Sequence, residues 1–503
     1  MIENLKRGPI VASILIASFV AFLSQTLLNV ALPKMMDDLD IGANTIQWLA
    51  TGYMLVNGVL VPISAFLIDR FTTRKLFIAA TTLFTIGTVV CAVALNFPAL
   101  LTGRLIQAAG AGILMPLMSI VFLTIFPIEQ RGKAMGMMGL AMILAPAIGP
   151  TLSGWVVEHY SWRVLFYIVL PFSLFGLIYG AINMKNVTKT SLPKLDVLGV
   201  ILSTLGFGGL LYGFSDAGAD GWGSIRVQIS LLVGVLALLF FLWRQLTVQR
   251  PILEFRVFRF DMYSLTTVIN VIITMAMFSG MILLPIYLQT IRGFTAFESG
   301  LLLLPGAILM GIMSPITGIV FDKIGARWLS VVGLAITVIT TYEFSLLTAE
   351  TTYNHLIIMY TLRMFGMSLM MMPIQTAGMN QLPQRLNAHG SAMSQTLRNV
   401  AGALGTAFLV TMMTTTAKSH GKDLVISRGI DPTDPANQAV MKQITGQATL
   451  YGINYSFIIA TWMAAAALVL AFFIRKVQFH KEVEVARSTE VQHKASSSVS
   501  SSQ

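Results

Sequence analysis

Charge is scarce in this 503-residue chain. Only 11% of its residues are Asp, Glu, Lys or Arg, against about 25% in a soluble globular domain. With 55% hydrophobic residues and a mean hydropathy of +0.76, an ordinary water-soluble fold is excluded, and lipid is the solvent for most of the chain. Cysteine is scarcer still. The single Cys91 excludes an intrachain disulfide and a Cys-based metal site; it lies in an apolar stretch and reads as a small packing residue. The six histidines are scattered, with no His-x-x-x-His pair. No Gly-x-x-x-x-Gly-Lys-Ser/Thr loop is present, which excludes ATP hydrolysis by that route. Nothing points to an enzyme, a cofactor or a metal. A net charge of +11 would suggest nucleic acid in a soluble protein. Here the cations sit in short loops between apolar runs, so the positive-inside pattern explains them and no nucleic-acid partner is expected.

What the chain does have is long apolar runs. A spanning helix needs about 20 mainly apolar residues. Fourteen such spans are predicted near 10–32, 46–68, 76–95, 98–122, 133–155, 163–183, 196–214, 227–246, 263–288, 298–320, 328–348, 354–376, 391–416 and 452–474. The runs are continuous rather than alternating, which excludes a closed barrel. Lys6 and Arg7 precede the first run, which lacks a clear cleavage site and reads as a retained helix rather than a signal peptide. The loops holding Arg70, Arg74, Lys75, Arg131, Lys133, Lys323 and Arg327 are richest in cations; they are expected on the cytoplasmic side, with both termini inside. Residues 417–451 are polar, contain Asp431-Pro432 and Asp434-Pro435, and are expected to form one long external loop. Residues 479–503 end in Ala-Ser-Ser-Ser-Val-Ser-Ser-Ser-Gln and are expected to be a disordered cytoplasmic tail. The predicted organisation is a six-helix bundle over 1–190, an inserted helix pair with linkers over 191–260, and a second six-helix bundle over 261–478.

Two loops share a pattern. Ile68-Asp69-Arg70-Phe71-Thr72-Thr73-Arg74-Lys75 follows the second span, and Phe321-Asp322-Lys323-Ile324-Gly325-Ala326-Arg327 follows the tenth. An acid, an adjacent cation and a further cation are costly beside lipid. Their recurrence suggests two related halves that rock against each other. Asp69 is suited to cap a neighbouring helix N-terminus or to pair with an Arg across the bundle; a solvated charge cluster is the plain alternative. Arg104 lies inside span four, followed by Gly110 and Gly112, and Arg363 holds the comparable place in span twelve. An intramembrane Arg marks a functional site by default, though each would also stabilise the bundle simply by bonding backbone carbonyls. Span five carries Gly139, Pro146, Gly149, Pro150 and Gly154. Two prolines four residues apart remove two backbone hydrogen bonds and predict a bend, and small residues let a neighbouring helix approach.

With these motifs the chain resembles the major facilitator superfamily over nearly its whole length, and within it the fourteen-span drug:proton antiporters (the EmrB/QacA subfamily). The Asp69 loop resembles that family's cytoplasmic-loop motif, Arg104 and its glycines the span-four motif, and Gly139 through Gly154 the span-five motif of exporters. Gln47-Trp48 opening span two, Asn29-Val30-Ala31-Leu32-Pro33 closing span one and Trp162-Arg163 opening span six also fit. The nearest resemblance is to lincomycin-resistance-type exporters of Gram-positive bacteria. The departures are instructive. Ala65, Thr72 and Thr73 stand where the family usually has glycine, glycine and a basic residue. Ser24 stands where many relatives carry an acid, and Ser391 through Asn399 of span thirteen has none.

The central cavity is therefore expected to be poor in carboxylates, the usual partners of cationic drugs and protons. That favours neutral, zwitterionic or anionic amphiphiles over dications. Gln25, Asn29, Gln375, Asn380, Gln395 and Asn399 are candidate polar partners, with interhelical hydrogen bonding as their other use. Glu158 and Glu343 are the remaining acids that could titrate, although each also reads as an interfacial residue facing water. Met371 and its neighbours Met367, Met370 and Met372 suit a surface that accepts several ligand shapes, or ordinary packing. Trp48, Phe278, Tyr287 and Phe365 are further candidates to line the cavity.

The resemblance implies a multi-pass protein of the bacterial cytoplasmic membrane, a monomer, exporting amphipathic small molecules in exchange for protons. Asp69, Arg70 and Arg74 are expected to form a cytoplasmic gate, with Asp322, Lys323 and Arg327 as its counterpart, and Arg104 to take part in coupling. A dedicated exporter of one metabolite or lipid-like compound, and a non-transporting sensor on the same fold, remain alternatives.

Overall fold

A computed structural model describes residues 7–475, apart from 42, 47, 128–129, 189–195, 249–250, 252, 384–385 and 431–436. The Asp-Pro pairs at 431–435, Gln47 and the tail 479–503 lie outside the described residues. The side chains of Asn29, Pro146 and Pro150 do so as well.

Fourteen long helices account for the structure, and no strand occurs among the described residues. They are α1 (Arg7–Leu39), α2 (Trp48–Arg70), α3 (Thr73–Ala92), α4 (Phe97–Ile125), α5 (Arg131–His159), α6 (Arg163–Asn183), α7 (Val197–Asp220), α8 (Ile225–Thr247), α9 (Asp261–Ile291), α10 (Ala296–Ile324), α11 (Ala326–Glu343), α12 (Tyr353–Gln381), α13 (Asn387–Ser427) and α14 (Gln438–Ala471). All except α5 meet the length and hydropathy of a membrane span over described residues alone. Their boundaries follow local chemistry. Asn96 caps α4 by accepting from the Ala99 amide at 2.9 Å. Thr295 and Glu298 cap α10 reciprocally, which satisfies two amides that an isolated helix end would leave bare. Gly325, at φ +84°, makes the tight turn from α10 into α11, a conformation open to glycine at little cost.

Helix α5 runs unbroken through both prolines. Helix α9 passes from α to π geometry over Ser279–Leu283 and again over Tyr287–Ile291, a change concentrated at functional positions in proteins generally and without a signal in the sequence pattern. The polar segment 417–451 differs from its expectation as a loop: α13 continues to Ser427 and α14 already begins at Gln438. Polar composition does not break a helix; it only moves the helix out of the apolar layer.

One packing scheme occurs twice. In the first half α1 packs on α4, α5 and α6, α2 on α4, and α3 on α4 and α6. In the second half α9 packs on α12, α13 and α14, α10 on α12, and α11 on α12 and α14. The apolar core falls into two main clusters, one in the second half and one that fills the first half and crosses the seam to Tyr263, Met372, Met379 and Ala392. The halves meet through α5 against α10 and through α2 against α13. Between them in sequence, α7 and α8 form a hairpin. Asp196 caps α7 through the Gly199 amide (3.0 Å) and takes a bidentate bond from Arg244 of α8 at 2.7–3.0 Å. Burial pushes the Asp196 carboxyl up, but Arg244, the Gly199 amide and Gln245 together outweigh it and hold the group below the ordinary carboxylate range.

Candidate gate and substrate cavity

The two loop acids end equivalent helices, and each faces the start of a helix from the other half. Asp322, near the end of α10, accepts from the backbone amides of Gly132 (2.8 Å) and Lys133 (3.1 Å) in the first turn of α5. An anion placed on bare N-terminal amides is held by the hydrogen bonds and by the helix dipole. Asp69, at the end of α2, lies 3.7 Å from Nε2 of His389 in the first turn of α13. The cations expected to share the gate with these acids lie elsewhere. Arg70, Lys323 and Arg327 are exposed, and Arg74 donates to the Ala181 carbonyl of α6 in its own half (2.8 Å). The acids thus bridge the halves, while their neighbouring cations do not join them. Arg131, the first residue of α5, adds a third link by donating to Asn380 of α12 (3.3 Å) and to the Leu123 carbonyl (3.0 Å).

Below Asp322, α5 and α10 pack backbone to backbone. A side chain at Gly132, Gly136 or Gly318 would strike the facing helix's main chain, and one at Gly139 would strike Ser314 and Met372. Ser314 donates to the Gly136 carbonyl at 3.0 Å. Gly149 serves a different contact, leaving room for Thr26 of α1, whereas Gly154 is only loosely approached by Phe297. The span-five glycines are therefore split: Gly139 belongs to the seam between halves, and Gly149 to packing within the first half.

Arg104 is 1% exposed. It donates to the carbonyl (3.3 Å) and hydroxyl (3.4 Å) of Ser24 and to Gln107 (2.7 Å), which in turn donates to Thr88 (2.8 Å). Its guanidinium lies 4.3 Å from the centre of the Tyr53 ring. Arg363 repeats this in the second half, donating at 3.1 Å to the Ala276 carbonyl and to the Ser279 hydroxyl at the π turn of α9. Gly280 makes room for that guanidinium. A small cavity beside it is lined by Met277, Thr337, Met367, Met370 and Ala464.

Sequence reasoning missed a third buried arginine. Arg398, 9% exposed on α13, donates to Gln375 of α12 at 2.9 Å and to Gln395 one turn earlier on its own helix. Gln395 donates to Asn399 at 3.2 Å. Two of the predicted cavity amides thus bond this cation, and a third, Asn399, joins them through Gln395. A charged residue inside an apolar run was the available signal. Among the described residues, no carboxylate pairs with Arg104, Arg363 or Arg398. Placing one arginine at mid-membrane costs roughly 2.5–3.5 kcal/mol, so keeping three without counter-ions calls for a functional reason.

The other predicted residues scatter. Met371 is half-buried and packs against both apolar clusters. Gln25 is half-buried. Trp48, 38% exposed, stacks on Tyr212 of α7 at 5.7 Å, so it faces the inserted pair rather than the amide cluster. Tyr287 donates to the Thr348 carbonyl (2.6 Å). Glu158 is exposed at the end of α5, and Glu343 is half-exposed as the last residue of α11. Asp216 of α7, overlooked because the span was ended at 214, has its Oδ2 buried without a hydrogen bond among the described residues.

Paired halves, an acid at each helix crossing and a buried arginine in each half have a counterpart among known proteins. The Major Facilitator Superfamily profile matches residues 14–406. The chain belongs to that superfamily. It is a multi-pass transporter of the bacterial cytoplasmic membrane, not an enzyme. The uncharacterized MFS-type transporter YcnB of Bacillus subtilis (strain 168) is 50% identical over 481 residues, spanning 96% of this chain and 98% of that protein. The lincomycin resistance protein LmrB of the same strain is 45% identical over 478 residues, spanning 95% and 97%. The crystal structure of the human organic anion transporter MFSD10 (TETRAN) aligns with a TM-score of 0.64 at 11% identity, over 93% of this transporter and 100% of that chain; at that identity the likeness concerns the fold alone.

Proposed function

We propose that this transporter exports amphipathic small molecules in exchange for protons by alternating access. The observation that carries the reading is the pair of crossed contacts, Asp69 to His389 and Asp322 to the α5 amides. Both lie at the end of the molecule that the loop cations assign to the cytoplasm. They close that end, and breaking them opens it. Inward proton flow drives the cycle. Asp69 and His389 are titratable groups that face each other across the halves, so a proton arriving there changes the closure directly. The substrates are neutral, zwitterionic or anionic, because the polar surface is built from Gln375, Gln395, Asn399 and Arg398. The names of the relatives, which include lincomycin resistance proteins, favour drug-like cargo.

The test is efflux from energised vesicles holding the purified protein, scored against an imposed pH gradient with neutral, anionic and dicationic amphiphiles. Gradient-dependent movement of neutral or anionic compounds is the expected result. Movement of dications alone overturns the substrate class, and no movement from folded protein overturns export.

A further inference from the structure

We infer that Arg398, with Gln375, Gln395 and Asn399, is the binding site for a carboxylate on an amphipathic substrate. This rests on the export reading and narrows it to a site and a charge.

The argument turns on how the three buried arginines are held. Arg104 is fixed by a backbone carbonyl, by Gln107 and by the face of Tyr53. Arg363 is fixed by a backbone carbonyl and a hydroxyl of the π turn. Gln107 and the two hydroxyls can rotate, but each of these arginines also holds a backbone carbonyl, which cannot leave without unwinding a helix. The described bonds of Arg398 go only to side-chain amides, Gln375 and Gln395. Amides rotate. A guanidinium carries five N–H donors, and an amide carries a carbonyl and an NH2 on one pivot. An incoming carboxylate therefore displaces the two amide oxygens and accepts the guanidinium fork in a bidentate pair. The freed amides turn their NH2 groups to the same carboxylate, and Asn399 takes up the rearranged Gln395. The resting bonds keep the charge satisfied while the site is empty, and the bound anion neutralises it.

The position suits cargo. Gln375 and Arg398 bring α12 and α13 together. Gln395 and Asn399 are half-buried, so the cluster is reachable. Met371, one turn before Gln375, packs against both apolar clusters and offers an adaptable apolar surface to the rest of the ligand. A dication would meet the guanidinium and be repelled.

The probe is 11-(dansylamino)undecanoate, compared with its methyl ester, which keeps the shape and loses the charge. Binding is read by dansyl fluorescence on the purified full-length protein in nanodiscs, without a pH gradient. The wild type is expected to bind the carboxylate at least about tenfold tighter than the ester. Arg398→Gln removes that preference by weakening the carboxylate alone, and Arg398→Lys keeps part of it, since a point charge replaces the fork. Equal binding of the two probes by the wild type, unchanged carboxylate binding by Arg398→Gln, or an equal loss of both probes overturns the assignment. Because binding needs no gradient, carboxylate selectivity in a protein that moves nothing would sink export and leave this site standing. Gradient-driven export of neutral compounds, with carboxylate binding insensitive to Arg398, would do the reverse.

Discussion

The two seams between the halves are related by the internal repeat, yet they are built differently. Where α5 meets α10 the contact is main chain against main chain along Gly132, Gly136 and Gly318, and Asp322 closes it by binding amides. Where α2 meets α13 the closing acid, Asp69, meets a side chain, His389, and helix α7 lies against both partners. Leu211 fills the space at Gly58, Gly208 lies against Val59, and Trp222 donates to Thr411 of α13 at 2.7 Å. A glycine seam is held by close packing and has no slack. A seam covered by a third element can loosen while its apolar contacts are passed to that element. On the proposed export cycle both seams part at the cytoplasmic end, and the second is expected to loosen more readily than the first.

The sharpest way to break this comparison is steric. Gly136→Leu places a branched side chain against the Ser314 carbonyl and the Pro315 backbone, which cannot give way. Transport is expected to fall by more than about 100-fold. Gly208→Leu meets only Val59 at 3.5 Å and is expected to stay within about threefold of wild type in the same vesicle assay. Equal losses would show that the α7 side is as tightly engaged as the glycine seam.

Next come the acids. Asp322→Ala strips the acceptor from two α5 amides, and Asp69→Asn removes the charge facing His389. Hydrogen bonds to a charged group contribute about 1.5–3 kcal/mol, so Asp322→Ala is expected to lower efflux by about 10- to 100-fold with insertion intact, and Asp69→Asn, which loses a 3.7 Å ion-pair contact and no hydrogen bond, is expected to lower it less. Full transport by well-expressed Asp69→Asn would refute the gate.

The titratable partner separates the seams more finely. His389→Gln keeps hydrogen-bonding capacity and forfeits the charge gained as pH falls. It is expected to cost about fivefold and to weaken the pH dependence of transport, since the side chain that gains charge on protonation is gone. Asp322→Ala leaves His389 in place, so it is expected to lower activity while keeping the pH dependence that His389 carries. A flattened profile in both would place the pH dependence elsewhere.

The smallest effect belongs to the inserted hairpin. The Asp196 carboxyl is held below its ordinary range, so its contribution to stability is present above about pH 4 and is lost as pH falls through the depressed value. Asp196→Asn is expected to lower the melting temperature in detergent by a few degrees at pH 7. That gap should close under acid, with transport little changed.

Much of this was legible in the chain. The spans, the repeat of the acid loops and the depth of Arg104 and Arg363 follow from where charge interrupts apolar runs, and lipid makes such interruptions costly enough to be informative. The partners were not legible. Asp69 was expected to meet an Arg or a helix end, yet which helix and which side chain depends on the crossing of α2 over α13. Arg398 was readable as an intramembrane charge, but its clustering with Gln375 depends on how α12 and α13 are rotated about their own axes. Residues 417–427 and 438–451 were expected in a loop because polarity was taken for irregularity.

The sequence by itself determined the solvent and the number of long helices, because hydropathy and helix length are local quantities. Only the tertiary structure decided that Asp322 binds amides while Asp69 faces a histidine, that the span-five glycines serve two different neighbours, and that one buried arginine of three is held only by side chains able to turn away. Those outcomes depend on the rotation and crossing of helices far apart in the chain, which are settled by packing between surfaces that no single segment contains.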